Sequence, residues 1–303
     1  MKCARTFVPE LLLLVLLVAR SALGVGALYA ESSPGRPPEY CTLFHQMPKS
    51  GSTTIRDKLH VAAVEDGTEP PPLCMTGLGQ EQSCVDAINS LSPVVTGYTE
   101  LIRSPMESVG RQCEFFTMIR HPIDRLISAF FYCPAHDVQM RPRKWCGFAE
   151  HEIPVTERLL DFARQYWGNK AFKMMTFGFF CPPYAFCDPA KPGAPRTVDE
   201  PGGWELLQQV QGALQTYTAV GVLEHWDLSM ELFNARVRSP VRDWRGVRKS
   251  NPGEESDLRD EVSNWAHKNP EIHAVLATDL LLYSYALSIF KGQTAESLGT
   301  VWE

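Results

Sequence analysis

The 303-residue chain lacks any unbroken apolar run long enough to cross a bilayer, since its longest, residues 11–19, has nine residues and a spanning helix needs about 20. It also lacks an Asn-x-Ser/Thr sequon, so we expect no N-linked glycans. Positive charge is not in excess, because 29 lysines and arginines face 35 aspartates and glutamates, a formal net charge of −6. This balance argues against a protein that coats nucleic acid through bulk electrostatics, and we expect no nucleic-acid partner.

Residues 1–30 have the features of a targeting segment. Lys2 and Arg5 precede the apolar run, Arg20 follows it, and small or apolar residues then continue to position 30. The short run favours a cleavable signal peptide, whereas the same segment read through Arg20 is long enough for a signal anchor with its positive end in the cytosol. Either alternative places the rest of the chain in the secretory lumen.

The remaining chain divides into a short linker and one domain. Residues 31–39 contain three prolines and a glycine and predict a stem or linker. With 44% hydrophobic and 21% charged residues, the chain can bury one sizeable core. We therefore predict a single lumenal domain at residues 40–303.

Apolar segments alternate with helical patterns along this domain. Buried strands are predicted at residues 41–44, 94–98 and 115–119, and helices at 53–62, 122–132, 155–166, 204–217, 228–237, 254–267 and 271–290. Residues 65–83 and 182–203 predict long loops. This alternation predicts an α/β fold with a central, mainly parallel sheet covered on both faces, which is a three-layer sandwich.

Cysteine usage fits the secretory lumen. Apart from Cys3, the chain has eight cysteines, at positions 41, 74, 84, 113, 133, 146, 181 and 187. We expect disulfides in an oxidising compartment. The short separations 74–84, 133–146 and 181–187 are candidate pairs, although sequence leaves the connectivity open. Cys133 with His136 and Cys146 with His151 have a spacing that zinc could also use.

The first functional motif follows the strand at residues 41–44. Residues 48–54 read Pro-Lys-Ser-Gly-Ser-Thr-Thr and lead directly into a helix, so free backbone N–H groups and the positive end of the helix dipole face a potential anion. In the nucleotide-triphosphate loop the lysine follows the glycine, whereas here Lys49 precedes Gly51. The candidate phosphate ligands are Lys49, Ser50, Gly51, Ser52, Thr53 and Thr54.

The second motif follows the strand at residues 115–119. Residues 120–128 read Arg-His-Pro-Ile-Asp-Arg-Leu-Ile-Ser, with Arg120 at the strand end and Ser128 two turns into the next helix. A guanidinium and a hydroxyl in these positions can hold a second, separate phosphate. Both motifs lie where a strand turns into a helix, which is where open α/β sheets bind ligands.

Together, the two motifs resemble the paired binding loops of sulfotransferases that use 3′-phosphoadenosine 5′-phosphosulfate (PAPS), especially the Golgi carbohydrate enzymes related to heparan-sulfate 2-O- and 6-O-sulfotransferases. In that family the first loop holds the 5′-phosphosulfate and the second holds the 3′-phosphate. The resemblance extends from about residue 40 to 290 and includes residues 220–229, similar to the family's late strand and helix, and 279–286, similar to its final helix. It implies a P-loop-like fold, PAPS as co-substrate and no metal. The sequence also contains no acidic cluster that would suggest a metal site.

The resemblance also implies catalytic roles. Lys49 would stabilise the charge on the leaving phosphate. Relatives often carry Gly-His at the end of the strand that precedes the second loop, whereas this chain has Gly97 followed by Tyr98. Glu100, two residues beyond Tyr98, would project on the same face if the strand continues. Because partial burial makes a carboxylate an adequate base, Glu100 is our first candidate for the general base and Tyr98 the alternative.

Two histidines near the motifs are interpreted as structural. His45 lies on a predicted central strand, and His121 lies between Arg120 and Pro122.

Basic residues are concentrated at 236–249, where six lysines and arginines occur within fourteen residues. Arg248, Lys249 and Ser250 resemble a late loop that closes over the cofactor in related enzymes. The remaining arginines suit bidentate contacts with an anionic acceptor, or else form a solvated surface.

The sequence therefore predicts a lumenal, Golgi-type sulfotransferase that transfers a sulfuryl group from PAPS to a hydroxyl of a glycan acceptor, possibly anionic, by direct in-line transfer. The protein would be a type II membrane protein if the N-terminal segment is retained, or secreted if that segment is cleaved. Two alternatives remain open: a catalytically silent lumenal nucleotide-binding protein that lacks its base, and a protein-tyrosine sulfotransferase.

Overall fold

The computed structural model describes residues 41–67, 73–74, 94–97, 113–132, 152–180, 195, 197–248 and 256–302. The predicted targeting segment and stem, at residues 1–39, lie outside this part of the chain.

The described strands form one parallel sheet in the order β2-β3-β1-β4-β5. Their bounds are β1 Thr42–His45, β2 Leu73–Cys74, β3 Val94–Gly97, β4 Glu114–Ile119 and β5 Ala219–Val222. β1 is central, with Phe44 opposite Thr96 of β3 and Phe116 of β4. All residues of β1 are therefore buried, as expected for a strand inside a parallel sheet. The predicted α/β fold with a parallel sheet is confirmed.

Helices flank the sheet, and each of the two motifs leads directly into one of them. Their bounds are α1 Ser52–Glu65, α2 Pro122–Phe130, α3 Val155–Phe162, α4 Lys170–Phe180, α5 Gly203–Gln215, α6 Trp226–Arg236, α7 Asp257–Lys268, α8 Pro270–Val275 and α9 Ala277–Leu298. A π-helical turn, Ala163–Trp167, extends α3, and a 3₁₀ turn, Leu223–His225, joins β5 to α6. No helix in the described ranges is both long and apolar enough to cross a membrane.

Three elements differ from the sequence prediction. The segment predicted as one helix at 271–290 forms α8 and α9, separated at Leu276. Asn269 starts α8 by accepting hydrogen bonds from the backbone N–H groups of Glu271 and Ile272, and Pro270 occupies the first helical position. The short edge strand β2 lies in a segment predicted to be a loop, and α4 was not predicted.

The core on the sheet is built from aromatic side chains. The Phe116 ring centroid lies 5.0 Å from that of Phe44, 5.1 Å from Phe233 and 6.0 Å from Trp244. Gly221 of β5 permits this packing, because a Cβ there would lie 2.7 Å from Cζ of Phe233. A second cluster of buried side chains joins α2, through residues such as Ile123 and Leu126, to α3, α7 and α8.

A buried ion pair fixes α2, the helix that follows the second motif. Arg125 donates from Nη2 to Oδ2 of Asp279, and both side chains are almost completely buried. Asp279 also accepts hydrogen bonds from the backbone N–H groups of Ala171, at 3.0 Å, and Phe172, at 2.7 Å. These contacts satisfy the buried carboxylate and hold α2 against α4 and α9, so the second loop starts from a fixed helix.

One disulfide lies within the described residues and joins Cys41 to Cys113. It links the chain just before β1 to the chain just before β4, across 72 residues of sequence. A loop of this length corresponds to about 4 kcal/mol in the chain-entropy model. The expectation of disulfides is thus met by this pair, while each short-loop pair suggested by spacing includes a cysteine outside the described residues.

Candidate functional site

The two motifs lie at a point where the strand order reverses. After β1 the chain continues to β2 and β3 on one side of the sheet, whereas after β4 it continues to β5 on the other side. Loops that leave two adjacent strands in opposite directions open a crevice at the carboxyl ends of those strands. Residues 46–51 and 120–121 line this edge.

The first loop has an uncommon backbone. Both Lys49, with φ of 63°, and Gly51, with φ of 73°, have left-handed conformations. For a lysine such a conformation costs of order 1–3 kcal/mol and persists only when its surroundings enforce it. Gly51 also needs its missing side chain, because a Cβ would lie 2.8 Å from Cδ1 of Leu223 and 2.9 Å from Cζ3 of Trp226. The loop is therefore packed tightly against the end of β5.

The start of α1 is not neutralised by an acidic side chain of its own first turn. Its first turn contains no acidic residue and no side chain caps it, although the first N–H groups of a helix have no partner inside the helix. The Ser50 hydroxyl is buried and has no hydrogen-bond partner among the described residues. Ser52 is buried and Thr53 is exposed at the helix start. This end of α1 thus retains the capacity to bind an anion.

The Lys49 ammonium is positioned by an aromatic ring. Its Nζ lies 2.8 Å from the ring centroid of Tyr132, a cation–π contact. Tyr132 follows α2 and is 48% exposed. The lysine of the first loop therefore reaches the helix of the second loop. Sequence analysis did not single out Tyr132, because an aromatic residue at a helix end has no distinctive pattern.

Arg120 joins the two loops directly. Its Nη1 donates a hydrogen bond to the backbone carbonyl of Lys49 at 3.2 Å. Burial lowers the pKa of the Arg120 guanidinium, while the charges of Asp124 and Glu224 act in the opposite direction. An arginine remains charged under these conditions, so Arg120 supplies a partly desolvated cation at the crevice.

Glu224 is a site residue that sequence analysis missed. Its Oε1 accepts a hydrogen bond from the backbone N–H of His121 at 2.9 Å, and its Oε2 accepts one from the Tyr283 hydroxyl at 3.2 Å. Burial and the neighbouring Glu224 charge raise the pKa of Tyr283. A carboxylate thus already occupies the start of α2. Nothing in the spacing of Glu224 marks it, since its partners lie about 60 or more residues away.

A small cavity of ≈ 20 Å³ lies behind the loops. It is lined by Ser50, Arg120, Arg125, Asp279 and Tyr283 together with apolar side chains. The volume suits about one water molecule, and Nε of Arg125 is another buried atom without a hydrogen-bond partner among the described residues.

Ser128, the second predicted ligand of the 3′-phosphate, lies half-buried on the second turn of α2. Within the described residues no hydrogen bond joins it to Arg120. Of the two ligands predicted for this phosphate, the geometry therefore links only Arg120 directly to the first loop.

The basic stretch is largely paired on the surface. The ion pairs are Arg236–Glu296 at 2.8 Å, Arg238–Glu114 at 3.7 Å, Arg242–Asp66 at 3.0 Å and Arg245–Asp243 at 2.9 Å. The Arg242 side chain is nevertheless 89% exposed, and exposed ion pairs contribute little energy. Arg238, Arg242 and Arg245 are exposed and remain accessible to an external anion, whereas Arg236 is largely covered by its partners.

The end of this stretch lies beside the first loop. Nε1 of Trp226 donates a hydrogen bond to the carbonyl of Val247 at 2.7 Å, and the same indole ring lies against Gly51. Arg248, the next residue, is exposed. Lys249 and Ser250 lie outside the described residues, as do the candidate bases Tyr98 and Glu100.

His45 is fully buried and does not reach the crevice surface. Its Nδ1 lies 2.9 Å from the Tyr217 hydroxyl. Burial lowers the pKa of His45 to about 3, so the imidazole is neutral at physiological pH. These properties agree with its interpretation as a structural residue.

Comparison with the models of known protein families and with curated proteins finds no match to this chain. The family resemblance therefore depends on the residues of the motifs themselves.

Proposed function

We propose that this protein is a PAPS-dependent sulfotransferase of the Golgi lumen that transfers a sulfuryl group to a hydroxyl of a carbohydrate. The observation that carries the proposal is the hydrogen bond from Arg120 Nη1 to the Lys49 carbonyl. It joins two cation-bearing loops at the strand-order reversal of a parallel sheet. PAPS has two separated anionic groups, which such a pair of loops suits.

Features of the described residues support this choice of co-substrate. In the proposal, the open start of α1, with Ser50, Gly51 and the hydroxyls that follow, holds the 5′-phosphosulfate. Because Gly51 has no side chain, a ligand can approach the backbone of this loop closely. Arg120 and Ser128 hold the 3′-phosphate. A three-layer, P-loop-like arrangement of the whole domain belongs to the same proposal.

The proposed reaction is a single displacement. The acceptor oxygen forms a bond to sulfur while the bond from sulfur to the bridging phosphate oxygen breaks, and adenosine 3′,5′-bisphosphate leaves. Lys49, oriented by the Tyr132 ring, stabilises the charge that develops on the leaving phosphate. Glu100, or alternatively Tyr98, takes the proton of the acceptor hydroxyl.

Calorimetry with two nucleotides tests the cofactor assignment. Arg120→Ala should weaken binding of adenosine 3′,5′-bisphosphate by about 10- to 100-fold, the effect of one charge-assisted hydrogen bond. Binding of adenosine 5′-phosphate should weaken less, because this nucleotide loses only the support that Arg120 gives to the first loop through the Lys49 carbonyl. Arg164→Ala is a matched control, because Arg164 forms an exposed pair with Glu271. Equal losses for both nucleotides would contradict the assignment of the 3′-phosphate to Arg120.

Radiolabelled sulfate transfer from PAPS tests the reaction itself. Transfer to glycans is expected. Transfer to tyrosine peptides instead would identify a protein-tyrosine sulfotransferase, and nucleotide binding without transfer to any acceptor would identify a silent nucleotide-binding protein.

We further propose that the surface at residues 236–249 contacts an anionic glycan. Replacing Arg242 and Arg245 together with alanine should raise the acceptor KM more than it lowers kcat, because uniform binding would be lost. The wild-type acceptor KM should rise with salt, since exposed charges are screened. An unchanged acceptor KM in the double variant would show that this surface is only solvated.

A further inference from the structure

Three metal-ligating side chains meet beside the second loop. His121 immediately precedes α2, Asp124 lies in its first turn, and His267 lies in the last turn of α7. One ligand atom from each of them lies within 4.8 Å of the other two. Oδ1 of Asp124 is 2.8 Å from Nε2 of His267, and Oδ2 is 3.9 Å from Nδ1 of His121. Two helices distant in sequence therefore bring two imidazoles and a carboxylate together.

The ligand atom of His121 is not otherwise used. Its Nδ1 is buried and has no hydrogen-bond partner among the described residues, which is unfavourable for a polar nitrogen. The ring is held in place by stacking on His267, with centroids 5.2 Å apart, and by the edge-on ring of Tyr283 at 5.1 Å. The backbone N–H of His121 is fixed by Glu224. These contacts fix the His121 ring so that its unpartnered Nδ1 faces the other two ligands.

From this geometry we propose that His121, Asp124 and His267 bind one Zn²⁺ ion. Tetrahedral zinc places nitrogen and oxygen ligands at about 2.0–2.1 Å, which separates neighbouring ligand atoms by about 3.3 Å. The two nitrogen–oxygen separations, 2.8 Å to Oδ1 and 3.9 Å to Oδ2 of Asp124, lie on either side of this value, and each imidazole faces a different oxygen of the carboxylate. Two imidazoles with one carboxylate suit zinc, whereas magnesium and calcium prefer oxygen ligands alone.

The zinc site would join α2 to α7, and three protein ligands leave a fourth position for water. It lies at the second loop, and Arg120 next to it directs its guanidinium toward the Lys49 carbonyl. The proposal gives the ion no part in sulfuryl transfer, for which the family resemblance implies no metal. The site does not depend on the proposed function.

Zinc titration of the full chain tests this site. After removal of metal with a chelator, calorimetry and elemental analysis following dialysis measure the zinc bound by wild type, His267→Ala and Asp124→Asn. We expect the two variants to bind one equivalent less than wild type, or to bind it at least tenfold more weakly. His60→Ala is the matched control, because His60 is exposed on α1, and it should bind zinc as wild type does.

Cobalt absorption provides a second measurement. Wild type and the His60 variant should give the visible bands of tetrahedral Co²⁺, and the His267 variant should not. Equal zinc binding by wild type and by both site variants would overturn the proposal, since the metal would then be held elsewhere, for example by cysteines. No nucleotide is present in either experiment, so its failure would leave the PAPS proposal untouched.

Discussion

His45 should make the stability of this protein depend on pH. The imidazole is fully buried on the central strand β1. It contacts the Tyr217 hydroxyl through Nδ1, and its Nε2 has no hydrogen-bond partner among the described residues. A proton added to this ring would place a charge in the core, where the Tyr217 hydroxyl supplies no counter-charge, and such burial is strongly unfavourable.

The size of the effect follows from the two pKa values. Burial lowers the pKa of folded His45 from its ordinary 6.5 to about 3. Between these values the unfolded chain binds a proton that the folded chain does not, so the free energy of unfolding decreases as pH falls. Lowering the pH from 7 to 5 should therefore destabilise the folded protein by about 2 kcal/mol through His45 alone. Above pH 7 this contribution should no longer change.

Urea unfolding followed by tryptophan fluorescence measures this difference. Wild type, His45→Gln and His60→Gln are compared at pH 7 and pH 5 with the disulfides intact, and the free energy of unfolding is extrapolated to water. We expect the pH-dependent loss in the His45 variant to be about 2 kcal/mol smaller than in wild type. The His60 variant, which loses an exposed imidazole, should behave as wild type. The reasoning would be refuted if all three proteins lost the same stability.

Three other substitutions test the site and its support. Gly51→Ala should abolish nucleotide binding and destabilise the fold by about 1–3 kcal/mol through steric overlap. Gly212→Ala, where a Cβ meets nothing within 4 Å, should leave both nucleotide binding and stability unchanged. Equal behaviour of the two variants in denaturation and calorimetry would contradict this prediction. Asp279→Ala should destabilise by about 3–5 kcal/mol, because Arg125 would remain buried and unpaired; a loss under 1 kcal/mol in urea unfolding would argue against that pairing. Glu100→Gln should lower kcat about 100-fold without changing cofactor affinity. A fully active variant would instead point to Tyr98 or a histidine as the base.

Local sequence patterns predicted much of the fold. Apolar runs that end in Gly- or Pro-containing turns located β1 and β4 and the helices that follow them, because strand and helix periodicities differ and these turns interrupt both. The parallel sheet then followed from the alternation of elements. The same patterns placed both motifs at strand-to-helix turns, where open α/β sheets bind ligands.

The parts that were not predicted depend on contacts between distant residues. The buried partner of Arg125 is Asp279, 154 positions away, and no local pattern records such a pairing. Helix α4 was missed because seven of the ten residues at 171–180 are apolar, and periodicity alone does not distinguish so apolar a segment from a buried strand. Glu224 was missed for the same reason as Asp279, since it acts on His121 from 103 positions away.

These distant contacts explain why two motifs that look alike in sequence differ in structure. Each is a strand-to-helix turn, and each would be expected to present a helix N-terminus to an anion. At α1 the first turn has no acidic residue, so its backbone N–H groups remain available to bind an anion. At α2 the carboxylate of Glu224 binds the N–H of His121, and Asp124 lies in the first turn. An anion at the second loop would therefore be held by the Arg120 side chain rather than by the helix start, which makes that one guanidinium decisive for the proposed second phosphate.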